Sequence, residues 1–405
     1  MKILVVIGPA FGVINHTLAL SNILHTQGHE VIWLTGYKSR DHLEKMASPY
    51  LTYYSDLHDL NFNANNPGKT PHFIFSCNYD YLKKSIEYEL DLIAKIKPEL
   101  IITKHHYSPT ISARISKLPH AYYYTDGGEY FFKDRNPHNR WQDTTLIQSY
   151  QRAASHFGLI CEEKTAITDY LFSPYLNIIR GVPLLSSLTK KEQKSLNSSC
   201  VFGGILTYDG LNSDFSHILS QIPSKSPLIY VTFGTHSYQK ERIKIILEGL
   251  KDFEGSVVIS TMDLNPEEFY PSPPNFFLTK YIPNDLIMEK SDLVIHHAGY
   301  GTTLTSYLKG VPQLVIPNNP IYTAQLAHAN VIEAHECGKY LSYENLTPKK
   351  IKELANDLIL NKIYKKNALK LSQASHKQDI ICKKLFLDKL ENLNSLIKNI
   401  NLFTK

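Results

Sequence analysis

Ser291-Asp-Leu-Val-Ile-His-His-Ala-Gly-Tyr-Gly-Thr-Thr-Leu-Thr-Ser-Tyr-Leu-Lys-Gly-Val-Pro-Gln-Leu-Val-Ile-Pro317 reads as strand, turn, helix, turn and strand. Leu293 to Ile295 is a short apolar run of the kind buried on both faces of a parallel sheet. His296, His297, Ala298, Gly299, Tyr300 and Gly301 follow, with the two glycines two residues apart. Thr302 and Thr303 are expected to open a helix that stops at Gly310, and Val311-Pro312 leads into a second strand, Leu314 to Ile316. A Gly-rich turn that feeds a helix N-terminus is suited to anions, because free backbone N–H groups and the positive end of the helix dipole face the incoming group. Glycine lets backbone approach a phosphate closely. The hydroxyls of Thr302 and Thr303 and the ring of His297 add donors. The alternative is that any βαβ unit has a small-residue turn and that His296-His297 caps a strand.

The run His-His-Ala-Gly-x-Gly-Thr-Thr, followed by Gly-Val-Pro-Gln-Leu-Val-Ile-Pro, closely resembles the donor-binding signature of family 1 glycosyltransferases of the GT-B fold. It is most similar to the bacterial branch that glycosylates natural products, sterols and carotenoids. The resemblance implies an α/β protein, with two Rossmann-like doubly wound domains facing each other across a cleft. It implies that His297 contacts the donor diphosphate, and that Gly299, Gly301, Thr302 and Thr303 cradle it.

The N-terminus supports the same class. Ile3 to Ile7 reads as a buried strand, Gly8 to Gly12 as a loop, Asn15 to Thr26 as a helix stopped by Gly28, and Val31 to Leu34 as a second strand. That is a βαβ unit of about thirty residues, the opening of a doubly wound sheet. The spacing Gly12-x-x-Asn15 with Gly28-His29-Glu30-Val31 resembles the family's Gly-His-hydrophobic-Asn-Pro and Gly-His-x-Val, which places Gly12 at the donor. The sequence departs from that pattern twice. The position of the family's catalytic base holds Val13, and that of the Pro holds His16. Valine cannot take a proton. His16, about one helical turn on, is a candidate replacement, although a lone His near a helix start is more often a capping or surface residue.

Other candidates for the base sit at strand ends, where open α/β sheets carry their ligands. Leu100 to Thr103 reads as a strand, and His105 and His106 fall in the loop after it. Ala121 to Tyr124 is another, followed by Asp126 and Glu129. His106 and Asp126, with His16, are the catalytic candidates; a polar loop and an Asp-Gly-Gly turn are the plain alternatives. Residues 48–80, rich in Tyr, Asn, His and Pro, read as irregular acceptor-side chain. Glu129 to Trp141 interleaves aromatics with basic residues, a composition seen at nucleic-acid contacts. The run is short, and a net charge of +5 is small for 405 residues, so acceptor contact fits better than nucleic acid.

Leu228 to Val231, ending in Thr232-Phe233-Gly234-Thr235, resembles the opening strand of the family's donor domain and places Gly234 and Thr235 beside the donor phosphates. Tyr281-Ile282-Pro283-Asn284 resembles the aromatic-hydrophobic-Pro run that meets the nucleotide base. Tyr281 would pack near the base and Ile282 would bond it through its backbone. Two further departures concern the sugar. The position of the ribose-binding Glu holds Thr305, and the Asp-Gln pair becomes Ala324-Gln325, after a loop from Pro317 that is longer than usual. Gln325 remains a sugar contact, and Asn318 or Asn319 is placed to replace the lost acid. Loss of both acids weakens the case for UDP-glucose; a TDP-deoxysugar tolerates Thr305 and Ala324 better, and an N-acetylhexosamine is also open.

These readings divide the chain into an acceptor domain over residues 1–205, a linker over 206–226, a donor domain over 227–375 and a C-terminal helix over 376–405 that crosses back to the first domain. No Asp-x-Asp occurs, so the metal-bridged diphosphate of the other large glycosyltransferase fold is not indicated. The expected activity is inverting, metal-independent transfer of a sugar from a UDP- or TDP-linked donor to a small-molecule or lipid acceptor. The resemblance implies no cofactor, the nucleotide sugar being a co-substrate, and no metal. A nucleotide-sugar 2-epimerase and a binding protein without transfer activity are the alternatives. Five scattered cysteines without a C-x-x-C signal neither disulfides nor zinc and fit a reducing cytoplasm. No apolar run reaches the roughly 18 residues needed to span a bilayer, so membrane association would be peripheral.

Overall fold

The computed structural model describes residues 1–8, 11–35, 52–55, 77–131, 143–164, 166–207, 215–223, 227–234, 240–262, 264–318 and 323–403. The elements, in chain order, are β1 (Lys2–Ile7), α1 (Phe11–Thr26), β2 (Glu30–Thr35), β3 (Thr52–Ser55), α2 (Tyr79–Ile96), β4 (Leu100–Lys104), α3 (Ser108–Ile115), β5 (His120–Tyr124), α4 (Thr144–His156), α5 (Ile167–Leu171), β6 (Leu176–Ile179), α6 (Lys190–Lys194) and β7 (Cys200–Phe202). There follow α7 (Ser216–Gln221), β8 (Leu228–Thr232), α8 (Lys240–Leu250), β9 (Ser256–Ser260), β10 (Phe276–Thr279), α9 (Asn284–Met288), β11 (Leu293–His296), α10 (Tyr300–Lys309), β12 (Gln313–Val315), α11 (Thr323–Ala334), β13 (Gly338–Tyr340), α12 (Pro348–Leu360) and α13 (Lys362–Phe403).

The chain falls into two compact units. Unit 1 comprises Met1–Gly181, Leu188–Tyr208 and Ile380–Lys405; unit 2 comprises Val182–Ser187 and Asp209–Asp379. Each is built on one parallel sheet. In unit 1 the strand order is β3-β2-β1-β4-β5-β6-β7, and in unit 2 it is β10-β9-β8-β11-β12-β13. Both are doubly wound, as the sequence leads one to expect. Strand order reverses between β1 and β4 in the first sheet and between β8 and β11 in the second. Such switch points open a crevice at the carboxyl ends of the strands. The register aligns Ile7 with Lys104 across the first switch and His296 with Thr232 across the second.

The apolar runs behave as strands buried on both faces must. In unit 2, Ile229, Val231, Leu293 and Ile295 point to a core shared with Ile243, Ile246 and Leu250 of α8 and Ile351, Ala355 and Leu358 of α12. Their neighbours Tyr230 and Val294 point the other way, onto Ile282, Ile287, Met288 and Val311. The period of two along each strand thus serves two layers of helices. Each fully buried aliphatic side chain contributes about 1.5–3 kcal/mol, so these two faces hold the sheet edges rigid.

α1 and α10 begin earlier than their sequences suggest. α1 starts at Phe11 rather than near Asn15, so Gly12 and Val13 lie in its first turn; Val13 is buried and its carbonyl accepts from Thr17 Oγ1 at 2.7 Å. α3 starts at Ser108 with Pro109 in its first turn, where a missing N–H costs nothing. α10 starts at Tyr300, two residues ahead of Thr302. The stretch 206–226, expected to be a linker, contains α7. Among the described residues no helix is long and apolar enough to cross a membrane, and all five cysteines are free.

Candidate functional site

In unit 2 the decisive turn is held by buried histidines. His296 closes β11 and is fully buried. Its Nδ1 accepts the N–H of Ala298 at 3.2 Å, so the ring proton sits on Nε2, which donates to Gln313 Oε1 of β12 at 3.0 Å. Burial drives its pKa down to about 4, against the pull of the Gln313 bond, with His328 adding to the drop. Ala298 carries a φ of 61°, the left-handed region that costs a residue with a Cβ on the order of 1 kcal/mol. Its carbonyl accepts from His328 Nδ1 of α11 at 3.0 Å, and the His328 ring stacks on Tyr300 at 4.6 Å. Both backbone groups of the strained residue are therefore held by imidazoles.

The strained residue turns the chain so that Gly299 becomes the N-cap of α10 and Tyr300 its first residue. This corrects the sequence expectation. Thr303 N–H already bonds Gly299 O at 3.0 Å, so the amides without an intrahelical acceptor lie earlier, at Gly301 and Thr302. Thr302 accepts a long bond of 3.4 Å from Asn284 Nδ2 at its hydroxyl, while Thr303 Oγ1 is buried without a partner.

His297 lies between two glycines. A Cβ at Gly299 would come 2.5 Å from its Nε2, and one at Gly234 would come 2.9 Å from its Cε1. Gly234 also has a φ of +70°. These glycines therefore make room for the imidazole, a reason that the phosphate argument alone does not supply. Arrayed at the carboxyl ends of adjacent β8 and β11 are thus one imidazole, two close-packed glycines and a helix N-terminus. Thr235 and Asn319 lie outside the described residues, as do most of residues 48–80 and residues 132–141.

The remaining donor candidates are placed as follows. Tyr281 follows β10, with its carbonyl accepting from Thr279 Oγ1 at 3.1 Å and its ring 6.1 Å from Phe215. Ile282 is buried in the core face that holds Tyr230 and Val294. Gln325 does not stand free: its Oε1 accepts the Asn318 N–H at 2.8 Å.

In unit 1 the base candidates lie in different electrostatic settings. His16 is buried in α1 with its ring edge-on to Tyr123 at 5.2 Å, and its Nδ1 has no hydrogen-bond partner. Burial holds its pKa well below 6.5, and the nearby cations Arg180 and Lys104 push in the same direction. His106 is different. Its Nδ1 lies 3.1 Å from Ser108 Oγ and 3.9 Å from Glu89 Oε1. Ser108 Oγ donates to Glu89 Oε1 at 2.6 Å, and Ser112 Oγ donates to Oε2 at 2.5 Å. Because the Ser108 proton goes to Glu89, His106 Nδ1 donates to Ser108. Sequence reading missed Glu89. Its signal was a carboxylate on the apolar stripe Leu82, Ile86, Glu89, Ile93 of α2. His105 adopts a φ of 51° and reaches Thr125 Oγ1 at 3.3 Å. Asp126 is buried just after β5, and Glu129 falls in the 3₁₀ turn Gly127–Phe131. Among the described residues, no three His, Cys, Asp or Glu side chains are grouped to hold a metal ion.

Known proteins agree with this architecture. The family model for the erythromycin biosynthesis protein CIII-like C-terminal domain matches residues 244–380. A Methanosarcina mazei protein described as an uncharacterized glycosyltransferase is 25% identical over 94% of this chain and 95% of its own. YojK of Bacillus subtilis, described as an uncharacterized UDP-glucosyltransferase, is 24% identical over 90% and 91%. Among solved structures, the glycosyltransferase VinC in complex with dTDP superposes with a TM-score of 0.73 at 18% identity, over 98% of this chain and all of VinC. The chain has the GT-B fold and is homologous to glycosyltransferases along almost its whole length. A transferase is the enzyme class it belongs to.

Two results are expected. Gly299→Ala destabilises the protein by about 1–3 kcal/mol through overpacking on His297, and most of that cost disappears in a His297→Ala background, since a φ of −65° suits alanine. Gly234→Ala stays costly in both backgrounds because its φ is positive. Urea denaturation of the three single and two double variants checks this. The second concerns pH. The unfolded His296 has its ordinary pKa near 6.5 and the folded one about 4, so only the unfolded state gains a proton between these values. Stability is full above pH 6.5 and falls as pH drops toward 4, by about 3 kcal/mol at most from this group. A His296→Gln variant is less stable at pH 7 and shows a shallower loss from pH 7 to 4.

Proposed function

We propose that the chain is an inverting, metal-independent glycosyltransferase that moves a sugar from a UDP- or TDP-linked donor to a small-molecule or lipid acceptor. The observation that carries the reading is the pinned turn His296–Thr303, which presents His297 and the free N–H groups of α10 together. Negative charge grows on the diphosphate as its bond to the anomeric carbon breaks. Fixed dipoles aimed at that charge lower the barrier without reorganising, and a protonated or donating His297 adds to them. Support for the donor class comes from both directions: YojK is named for UDP-glucose and VinC was solved with dTDP. Thr305 and Ala324, in place of two acids, favour a TDP-deoxysugar.

Of the base candidates in unit 1, His106 suits the acceptor proton better than His16. A general base becomes positive as it works, and the Glu89 carboxylate favours that charge on His106. Arg180 and Lys104 oppose it on His16. The acceptor oxygen then forms the new bond to the anomeric carbon, the nucleoside diphosphate leaves with the electron pair, and the proton rests on His106.

Thermal unfolding of the full chain with UDP, TDP and GDP tests the donor site. UDP or TDP at a hundred times its dissociation constant is expected to add about 2.7 kcal/mol, and His297→Ala to remove most of it. No stabilisation by any nucleotide would sink the reading. Once an acceptor is found, His106→Ala is expected to lower kcat by about 10²–10⁴-fold and Glu89→Gln to lower it less, with the pH–rate profile displaced. His16→Ala should leave kcat within about tenfold; a larger loss there would move the base to His16.

A further inference from the structure

Arg242, in the first turn of α8, has no role in the account so far, yet its setting is unusual for a cation. Only 3% of it is exposed. The guanidinium lies 5.5 Å from the Phe233 ring and 4.8 Å from the Tyr343 ring. Burial lowers its pKa, with Tyr343 acting in the opposite sense. A buried charge is expected to meet a carboxylate. Among the described residues, Arg242 instead meets neutral oxygens. Nη1 donates to Asn318 Oδ1 at 2.8 Å and, at 3.4 Å, to the Ile316 carbonyl, while Nε is buried without a partner.

The Asn318 contact has a definite polarity. Arginine only donates, so Asn318 turns Oδ1 toward it and its amide NH₂ the other way. The Asn318 backbone is fixed as well, through its N–H to Gln325 Oε1 at 2.8 Å. A half-buried asparagine is thus held by α8 through its side chain and by α11 through its main chain. It stands just past β12, the strand paired with β11. Neighbouring strands lie about 4.8 Å apart. A ligand with its phosphates on the turn after β11 has the carboxyl end of β12 within reach of its next group.

We propose that Arg242 is a positioning residue for donor recognition: by holding Asn318 Oδ1, it presents the Asn318 NH₂ to an oxygen of the donor sugar. The proposal rests on the donor-site reading above. It also assigns a chemistry. An acid at such a position accepts from a sugar hydroxyl, whereas the Asn318 amide donates, so it selects a sugar bearing an acceptor there: a hydroxyl, keto or acetamido oxygen. A sugar with a bare methylene at that position gains nothing from the contact.

Titration calorimetry on the full chain tests this without an acceptor. The probes are UDP, TDP, UDP-glucose, TDP-glucose and UDP-N-acetylglucosamine, and the variants are Arg242→Gln, Arg242→Lys and Asn318→Asp. Wild type is expected to bind at least one sugar nucleotide more tightly than the matching free nucleotide. Arg242→Gln should bind the free nucleotide as wild type does, yet lose about three- to tenfold of the sugar's increment. Arg242→Lys should recover part of it. Asn318→Asp keeps a partner for Arg242 and should melt no lower than wild type; having no N–H to offer, it should lose the increment of a sugar whose oxygen there only accepts, such as the acetamido oxygen of UDP-N-acetylglucosamine, and keep more of that of a hydroxyl-bearing sugar. The proposal is overturned if the variants keep the wild-type ratio, if no sugar in the panel adds affinity, or if Arg242→Gln weakens free nucleotide and sugar nucleotide equally. That last result would make Arg242 a structural support only. Failure of wild type to bind any nucleotide would instead remove the donor site itself, and this proposal with it.

Discussion

The switch point of unit 2 depends on one strained residue. Ala298 sits in the left-handed region, and two imidazoles from different elements hold its N–H and C=O. Without that pair, the chain after β11 would have no reason to turn at a residue with a Cβ. The turn sets where α10 begins, and the start of α10 decides which amides are left without helical acceptors. His297 then fits only because Gly234 and Gly299 have no side chains. The energetic logic runs from a buried network outward. His296 and Gln313 cross-link β11 to β12, while His328 and Tyr300 join α11 to α10. The placement of the turn thus rests on the packed sheet rather than on the loop.

The two units use the same topology for different electrostatics. In unit 2 the described residues at the switch point are glycines, a threonine and an imidazole, with no carboxylate among them. In unit 1 the strand ends carry both signs. Lys104 lies over the Tyr123 ring at 5.6 Å, on the same ring that His16 meets edge-on, whereas His106 stands beside a carboxylate. Burial and the cations beside it hold the pKa of His16 down, whereas His106 faces a carboxylate 3.9 Å away.

Much of this was legible in the chain. The alternation of apolar runs and amphipathic helices was enough to specify two doubly wound sheets, because period and burial agree along nearly every strand. The turn after β11 could be read from its glycines as a strand-to-helix turn. Its details could not. Sequence placed the helix start at Thr302, since two glycines flanking a tyrosine look like loop; the stacking of Tyr300 on His328, 28 residues on, overrides that preference. His296 looked like a strand cap and proved to be the clamp. Glu89 was hidden for a similar reason: its partners Ser108 and Ser112 are 19 and 23 residues away and meet it only when α2 packs on α3. The bond from Asn318 N–H to Gln325 Oε1 was equally hidden, since it depends on how the chain returns after β12. In each case, local pattern identified the residue type and tertiary contact decided its partner.

The central claim is that a nucleoside diphosphate docks its phosphates on the His296–Thr303 turn. A crystal structure of the full chain with UDP or dTDP tests this most directly. The account predicts phosphate oxygens within about 2.7–3.2 Å of the Gly301 and Thr302 N–H groups, with the His297 ring in contact and Ala298 still left-handed. Phosphates bound elsewhere, or a turn rearranged so that α10 begins at Thr302, would contradict it.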